Sequence, residues 1–518
     1  MAGLVLSAAP ALALDCTALG GATVAKSVIS LPTSGAAVTS AVLTEDPRNG
    51  RYCKLLGAIK PVDPAAADIL FQLNLPSRWN RKALHMGGVG YDGRLVTGED
   101  GRFADPGKPL ALAQGYATFG SDGGHQAASA ADAGGFPNNE ESLRNFFGDQ
   151  LKKTHDAALF LMRRYYGRGP RRTYFQGNSG GGRESFVVMQ RWPRDYDGVI
   201  AIHPAYNFSA LQLSGTLLGQ ALYKPGAWVS PPVADMVAKA VLEACDGLDG
   251  LKDGIVGNVK ACRGSFDVQR LRCAGKGDPD AVCLSETQIA TYKTFDAAMP
   301  FRVTLSGLDH FAGWPVLEGA DLNGAANSFG TDPVPANPPS LKNSFPYRMG
   351  DGLIRNMVVK DPASNSLAFD QTRYAAQLAE LSKGLDTNSA DLTAFQKRGG
   401  KFLLMHGTVD MAIPPGNSVE YYERLKARMG EARVRSFTRF YMAPGFGHTY
   451  GAFLVGWDSL GTLDSWVTRG VVPGPQIATD TNPATAGRTR PLCEYPAYPR
   501  YNGSGDIHRA ESFVCAAP

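Results

Sequence analysis

The segment Gly177-Asn178-Ser179-Gly180-Gly181 has the G-x-S-x-G spacing of a serine nucleophile carried on a sharp strand-to-helix turn. A serine hydroxyl attacks only when a base removes its proton, and that base needs an acid to fix its tautomer. In sheets that display a serine this way, the chain order is Ser, then Asp or Glu, then His. Asp410 stands just beyond the apolar run Phe402 to Met405, and His448 stands in Gly445-Phe446-Gly447-His448, beyond the run Phe437 to Met442. We therefore expect Ser179 as nucleophile, Asp410 as orienting acid and His448 as general base. His406, at the end of the run before the acid, is read as structural. The oxyanion of a tetrahedral intermediate needs two backbone N–H donors. One is that of Gly180, and the other is expected from the loop His85-Met86-Gly87-Gly88-Val89-Gly90, at Gly88.

A second cluster, Cys245 to Gly254, places Asp246, Asp249 and Asp253 at intervals of three and four with glycines between them. Three carboxylates on tight turns suit a hard, oxygen-seeking cation. The spacing is not that of an EF-hand loop, so a solvated acidic loop is the other reading.

The elements that must position these groups are visible as short apolar runs. Ala83 to Met86, Tyr116 to Phe119, Thr173 to Gln176 and Phe402 to Met405 each end near a glycine and read as buried parallel strands. Leu151 to Tyr166, Arg183 to Arg191 and Val419 to Met429 repeat apolar residues at helical spacing. Strand and helix alternate, which predicts an α/β fold on one parallel sheet. From Tyr206 to Asn388 the composition shifts to an acidic cluster, four cysteines and proline-rich stretches. We expect a discontinuous catalytic core over 15–205 and 391–518, interrupted by a lid domain over 206–390, with a pocket at the junction.

Composition narrows the class of partner. The 518 residues carry 52 Lys plus Arg against 48 Asp plus Glu, a net charge of +4, too balanced for an electrostatic nucleic-acid footprint. No apolar stretch reaches the roughly 20 residues of a membrane helix. Residues 1–14 (MAGLVLSAAPALAL) end in a small-x-small pattern and read as the remnant of an export signal. The cysteines number eight, with no C-x-x-C pair. Export makes disulfides the expectation. Neighbour pairing is the simplest scheme: Cys16 with Cys53, Cys245 with Cys262, Cys273 with Cys283, and Cys493 with Cys515.

Taken together, the glycine-rich loop at Gly88, Asp122-Gly123-Gly124-His125, Ser179 to Arg183, Arg191 to Gly198, the Cys245 to Gly254 cluster, His406-Gly407 to Pro415 and the tail from Arg488 to Pro518 resemble the tannase and feruloyl esterase family. The tail looks especially similar to the family's terephthalate-monoester branch. The resemblance implies an α/β-hydrolase core with a large lid and ester hydrolysis through an acyl-enzyme. It also implies a structural Ca2+ in the lid, bound by the side chains of Asp246, Asp249 and Asp253 and the carbonyls of Leu251 and Ile255. The implied substrates are small aromatic acid esters: gallates, hydroxycinnamates or terephthalate monoesters. No organic cofactor is implied.

Two departures from the family pattern matter. Its members typically carry cysteines immediately before the nucleophile and immediately after the catalytic histidine, joined as a disulfide; here those positions are Asn178 and Thr449. We expect these two side chains to face each other and hydrogen-bond instead. Second, no arginine in Pro300 to Pro362 can be assigned to grip a substrate carboxylate, so Arg302, Arg348 and Arg355 are only candidates, and neutral esters gain ground. The alternatives to a hydrolase are an acyltransferase using the same acyl-enzyme and a catalytically silent, calcium-braced binding protein.

Overall fold

The computed structural model describes residues 15–101, 103–129, 131–274, 283–324 and 326–518. The expected export signal at 1–14 lies outside the described residues. The chain builds one ten-stranded sheet. It begins with β1 (Thr23–Val24), β2 (Gly35–Asp46), β3 (Gly50–Lys60), β4 (Ile69–Pro76), β5 (Lys82–Met86), β6 (Ala117–Ser121), β7 (Arg172–Asn178) and β8 (Gly198–Ile202). A separate hairpin, β9 (Met299–Leu305) with β10 (Leu308–Phe311), precedes the last two sheet strands, β11 (Lys401–Gly407) and β12 (Thr438–Ala443).

The spatial order is β1-β2-β3-β4-β6-β5-β7-β8-β11-β12. From β6 to β12 every pairing is parallel, as the apolar runs predict. The first four strands pair antiparallel and join the rest through an antiparallel β4–β6 contact. The sheet is therefore mixed, not wholly parallel. The reason lies in burial: β8 is buried at every position, whereas β2 mixes buried and exposed residues and is held by its long register with β3.

Helices cover both faces of the parallel half. Ala157, Leu161 and Met162 of helix Gln150–Tyr166 pack on Phe71, Leu73 and Phe119. Phe186 and Val187 of helix Gly180–Arg191 pack on Phe175 and Val199. On the other face, Leu463 and Trp466 of helix Ser459–Arg469 meet Ile200 and Leu403.

Between β8 and β11 the chain leaves the sheet and builds its own apolar cluster around Phe208, Leu218, Tyr292, Phe295, Trp314 and Phe329. That cluster continues into Val409, Met411 and Ile413, so the inserted segment packs directly on the loop that carries Asp410. Two of its helices, Phe208–Leu222 and Phe345–Leu353, cross at glycines. A Cβ on Gly215 would lie 2.2 Å from the Pro346 carbonyl oxygen, and one on Gly350 would lie 2.5 Å from that of Gln212.

All eight cysteines are paired as 16–53, 245–262, 273–283 and 493–515, with Cα separations of 5.0 to 5.6 Å. Each closes a short loop, which stabilises the fold by about 2 to 4 kcal/mol through restraint of the unfolded chain. Among the described residues no helix is long and apolar enough to cross a membrane.

Candidate active site

Ser179 follows the last residue of β7 and precedes helix Gly180–Arg191, with φ 62° and ψ −119°. A non-glycine residue holds this strained conformation only when its surroundings enforce it. They do so here: the Ser179 N–H donates to the Ile202 carbonyl (3.0 Å), and its carbonyl accepts from Arg183 and Ala205 (both 3.1 Å). The turn also needs its glycines. A Cβ on Gly177 would lie 1.9 Å from the Gly181 oxygen, and one on Gly181 would lie 2.5 Å from the Gly88 oxygen.

Asp410 is fully buried in the loop after β11. Its Oδ1 accepts the N–H groups of Ala412 (2.8 Å) and Ile413 (3.0 Å), and its Oδ2 meets His448 Nδ1 at 2.8 Å. Burial alone would raise the Asp410 carboxyl. The electrostatic pull and hydrogen bond of His448, with the nearby His406, reverse this and hold it well below the usual carboxylate range. His406 is itself tied on both ring nitrogens, to Ser418 Oγ (2.7 Å) and the Ile413 carbonyl (2.9 Å). Asp410 thus fixes the His448 tautomer, leaving Nε2 to exchange protons.

Ser179 and His448 line one cavity of about 200 Å3. No hydrogen bond joins Ser179 Oγ to His448 among the described residues; such bonds are commonly long before substrate binds. The remaining wall comes largely from the inserted segment: Phe208, Leu211, Gln212, Trp314, Phe345 and Met349. Arg302, Arg348 and Arg355 are not among its lining residues. Arg302 is exposed on β9, Arg348 stacks over Phe345 at 5.3 Å, and Arg355 is bound to Asp351 at 2.9 Å.

Two expectations need correction. The Gly88 N–H donates to Glu184 Oε2 at 2.8 Å and is not free for an oxyanion. It is Gly90 that shares the cavity with Ser179, and its nitrogen lies 2.9 Å from where a Gly180 Cβ would stand. The Asn178 and Thr449 side chains are not partners either. Asn178 Oδ1 accepts from His203 Nδ1 at 3.1 Å, while Thr449 is exposed.

Sequence reasoning missed two groups. His203, at φ 43° just past β8, is fully buried, and its ring centroid lies 5.2 Å from that of His448. Burial keeps its imidazole well below the usual value, Asp410 opposing less strongly, so it is neutral; its Nε2 has no partner among the described residues. His203, Asp410 and His448 each bring one ligating atom to within 4.8 Å of the others. The signal was its place at the carboxyl end of a parallel strand. The second group is the buried pair Asp92 and Glu184 beneath the glycine loop. Burial and the Glu184 charge push the Asp92 carboxyl well above its ordinary value despite Arg183, so Asp92 keeps its proton.

At the acidic cluster, Asp246 Oδ1 accepts N–H groups from Asp253, Gly254 and Ile255, and Asp249 accepts from Leu251 and Gly257. Asp253 also meets Arg490 Nη2 at 2.6 Å. Burial, with the charges of Asp253 and Asp246, pushes Asp249 up to about 7. Asp249 carries no cationic partner among the described residues, and its oxygens are of the hard type a cation such as Ca2+ takes, although Asp246 and Asp253 are already engaged by N–H groups and by Arg490.

A family model described as tannase and feruloyl esterase matches residues 53–516. The chain is 39% identical to an uncharacterised esterase of Agrobacterium fabrum, covering 97% of this chain and 93% of the relative. It is 31% identical to a mono(2-hydroxyethyl) terephthalate hydrolase of Piscinibacter sakaiensis, covering 90% and 85%. Among solved structures, an esterase from Aspergillus oryzae superposes with a TM-score of 0.79 at 23% identity, over 97% of this chain and 99% of that one.

Proposed function

The chain belongs to the tannase and feruloyl esterase family, and from that premise we propose that this esterase is a serine carboxylesterase acting on esters of aromatic acids through an acyl-enzyme. The observation that carries the reading is the Asp410–His448 hydrogen bond at 2.8 Å, with His448 and Ser179 lining one apolar cavity. Ser179 Oγ attacks the ester carbonyl carbon while His448 Nε2 takes its proton. The N–H groups of Gly180 and Gly90 bind the resulting oxyanion. The C–O bond to the alcohol then breaks, His448 returns the proton to the leaving oxygen, and an acyl-Ser179 remains. Water, deprotonated by the same imidazole, hydrolyses that ester and regenerates the serine. Asp410 stays ionised throughout and holds the Nδ1–H.

The inserted segment 206–390 acts as the lid, since it supplies most of the apolar wall. Asp246, Asp249 and Asp253, with the carbonyls of Leu251 and Ile255, would hold a Ca2+ that neutralises the cluster and braces the lid away from the chemistry. Four disulfides are consistent with export to an oxidising compartment. The deciding experiment is stopped-flow hydrolysis of a p-nitrophenyl aromatic ester. We expect a burst of one p-nitrophenol per active site, abolished in Ser179→Ala; a Ser179→Ala protein that retains the burst overturns the reading.

A further inference from the structure

The cavity above Ser179 measures about 200 Å3, and an apolar space of about 150 Å3 already admits one benzene ring. It is therefore sized for a single substituted ring. Among the described residues that line it, His448 is the sole ionisable side chain, and the wall is otherwise apolar or small apart from Ser179 and Gln212. Trp314 offers no donor, because its Nε1–H is spent on the Met411 carbonyl at 3.1 Å.

Gln212 stands apart. It lines the cavity and is 2% exposed, yet its side-chain amide makes no hydrogen bond among the described residues. Its amide atoms are not among those sealed from solvent, so they open onto the cavity. An uncommitted amide that faces the cavity is free to exchange hydrogen bonds with a ligand held there. The position is fixed, since helices Phe208–Leu222 and Phe345–Leu353 close tightly at Gly350 against the Gln212 carbonyl. Ala205 hydrogen-bonds the Ser179 backbone, Phe208 opens the helix, and Gln212 follows one turn, about 6 Å, further along. Gln212 thus stands one helical turn beyond Phe208 along the cavity wall that starts beside Ser179.

We propose that Gln212 is a specificity-determining residue that hydrogen-bonds a neutral polar substituent, such as a hydroxyl, on the distal end of an aromatic acyl group. The same cavity rejects an acyl group bearing a second carboxylate, because among the described residues no cationic side chain lines it to offset the desolvated charge. This rests on the esterase reading above and narrows its substrate class.

The test compares kcat/KM for methyl benzoate, methyl 4-hydroxybenzoate and monomethyl terephthalate in the wild type, Gln212→Leu and Gln212→Met. The readout is how the ratio of the hydroxylated to the plain ester changes between wild type and variant, which cancels the substituent's own effect on reactivity. Loss of one neutral hydrogen bond lowers that ratio about fivefold to tenfold. In the wild type the terephthalate monoester should lag the plain ester by at least about 100-fold. Gln212→Met, close to glutamine in shape, serves if Gln212→Leu does not fold. An unchanged ratio in the folded variants, or a wild type that prefers the charged monoester, overturns the proposal while leaving the esterase reading intact. Hydrolysis of none of the three, with no p-nitrophenol burst, fells both.

Discussion

His203 Nδ1 donates to Asn178 Oδ1 across 3.1 Å, tying the end of β8 to the residue before the nucleophile. The same imidazole ring packs at 5.2 Å from that of His448. One neutral side chain thus touches both the serine turn and the base, and it acts as a positioning residue. Asn178→Ala is expected to lower kcat by about tenfold to 100-fold with little change in KM, the signature of a misplaced reacting group. Equal changes in kcat and KM, or none, would show that the contact is only structural.

Removing the charge that orients His448 is a sharper test. Asp410→Asn keeps the size of the side chain but favours the wrong imidazole tautomer, and comparable changes cost about 10,000-fold in kcat. Steady-state kinetics on a p-nitrophenyl ester reads it directly. A loss below about tenfold would mean that Asp410 does not set the tautomer of the base.

Asp92 and Glu184 are both buried beneath the glycine loop, and they should respond unequally. Asp92→Asn replaces a protonated acid by a neutral amide and should leave stability within about 1 kcal/mol. Glu184→Ala removes the acceptor of the Gly88 N–H and should cost about 1 to 3 kcal/mol and lower kcat as the loop loosens. Urea denaturation of both variants measures the difference, and equal losses would contradict these unequal roles.

Calcium should stabilise the protein in a pH-dependent way. Asp249 is pushed up to about 7 in the folded state, mainly by burial and then by Asp253 and Asp246. Between its unfolded value near 4 and about 7 the folded state binds the extra proton, so this group's contribution to stability falls as pH rises through that window. A bound cation removes the penalty, and below the window the proton already does so. The rise in melting temperature when CaCl2 is added to metal-stripped protein should therefore be larger at pH 8 than at pH 5. A shift equal at both values, or absent, would count against a calcium site here.

The sequence made some of this legible for identifiable reasons. Asp410 and His448 could be picked out because each follows a recognisable buried strand, and residue type plus strand end is what such chemistry requires. The cysteines could be paired because each has a near neighbour in the chain. His203 stayed hidden because β8 drew no attention as a strand. Gly88 was preferred over Gly90 because adjacent glycines look alike until a buried Glu184 is seen to occupy one N–H. The antiparallel strands β1 to β4 carry no continuous apolar run, so their pairing partners, not their residues, define them.

The proposed reacting groups and most of the wall that surrounds them come from different stretches of chain. Ser179, Asp410 and His448 hang from strands of the sheet, while Phe208, Gln212, Trp314, Phe345 and Met349 belong to the segment between β8 and β11. Mutations in that segment can therefore remodel what is recognised, except where it packs on the loop that carries Asp410. The arrangement lets one lineage diversify its diet while inheriting its reaction unchanged.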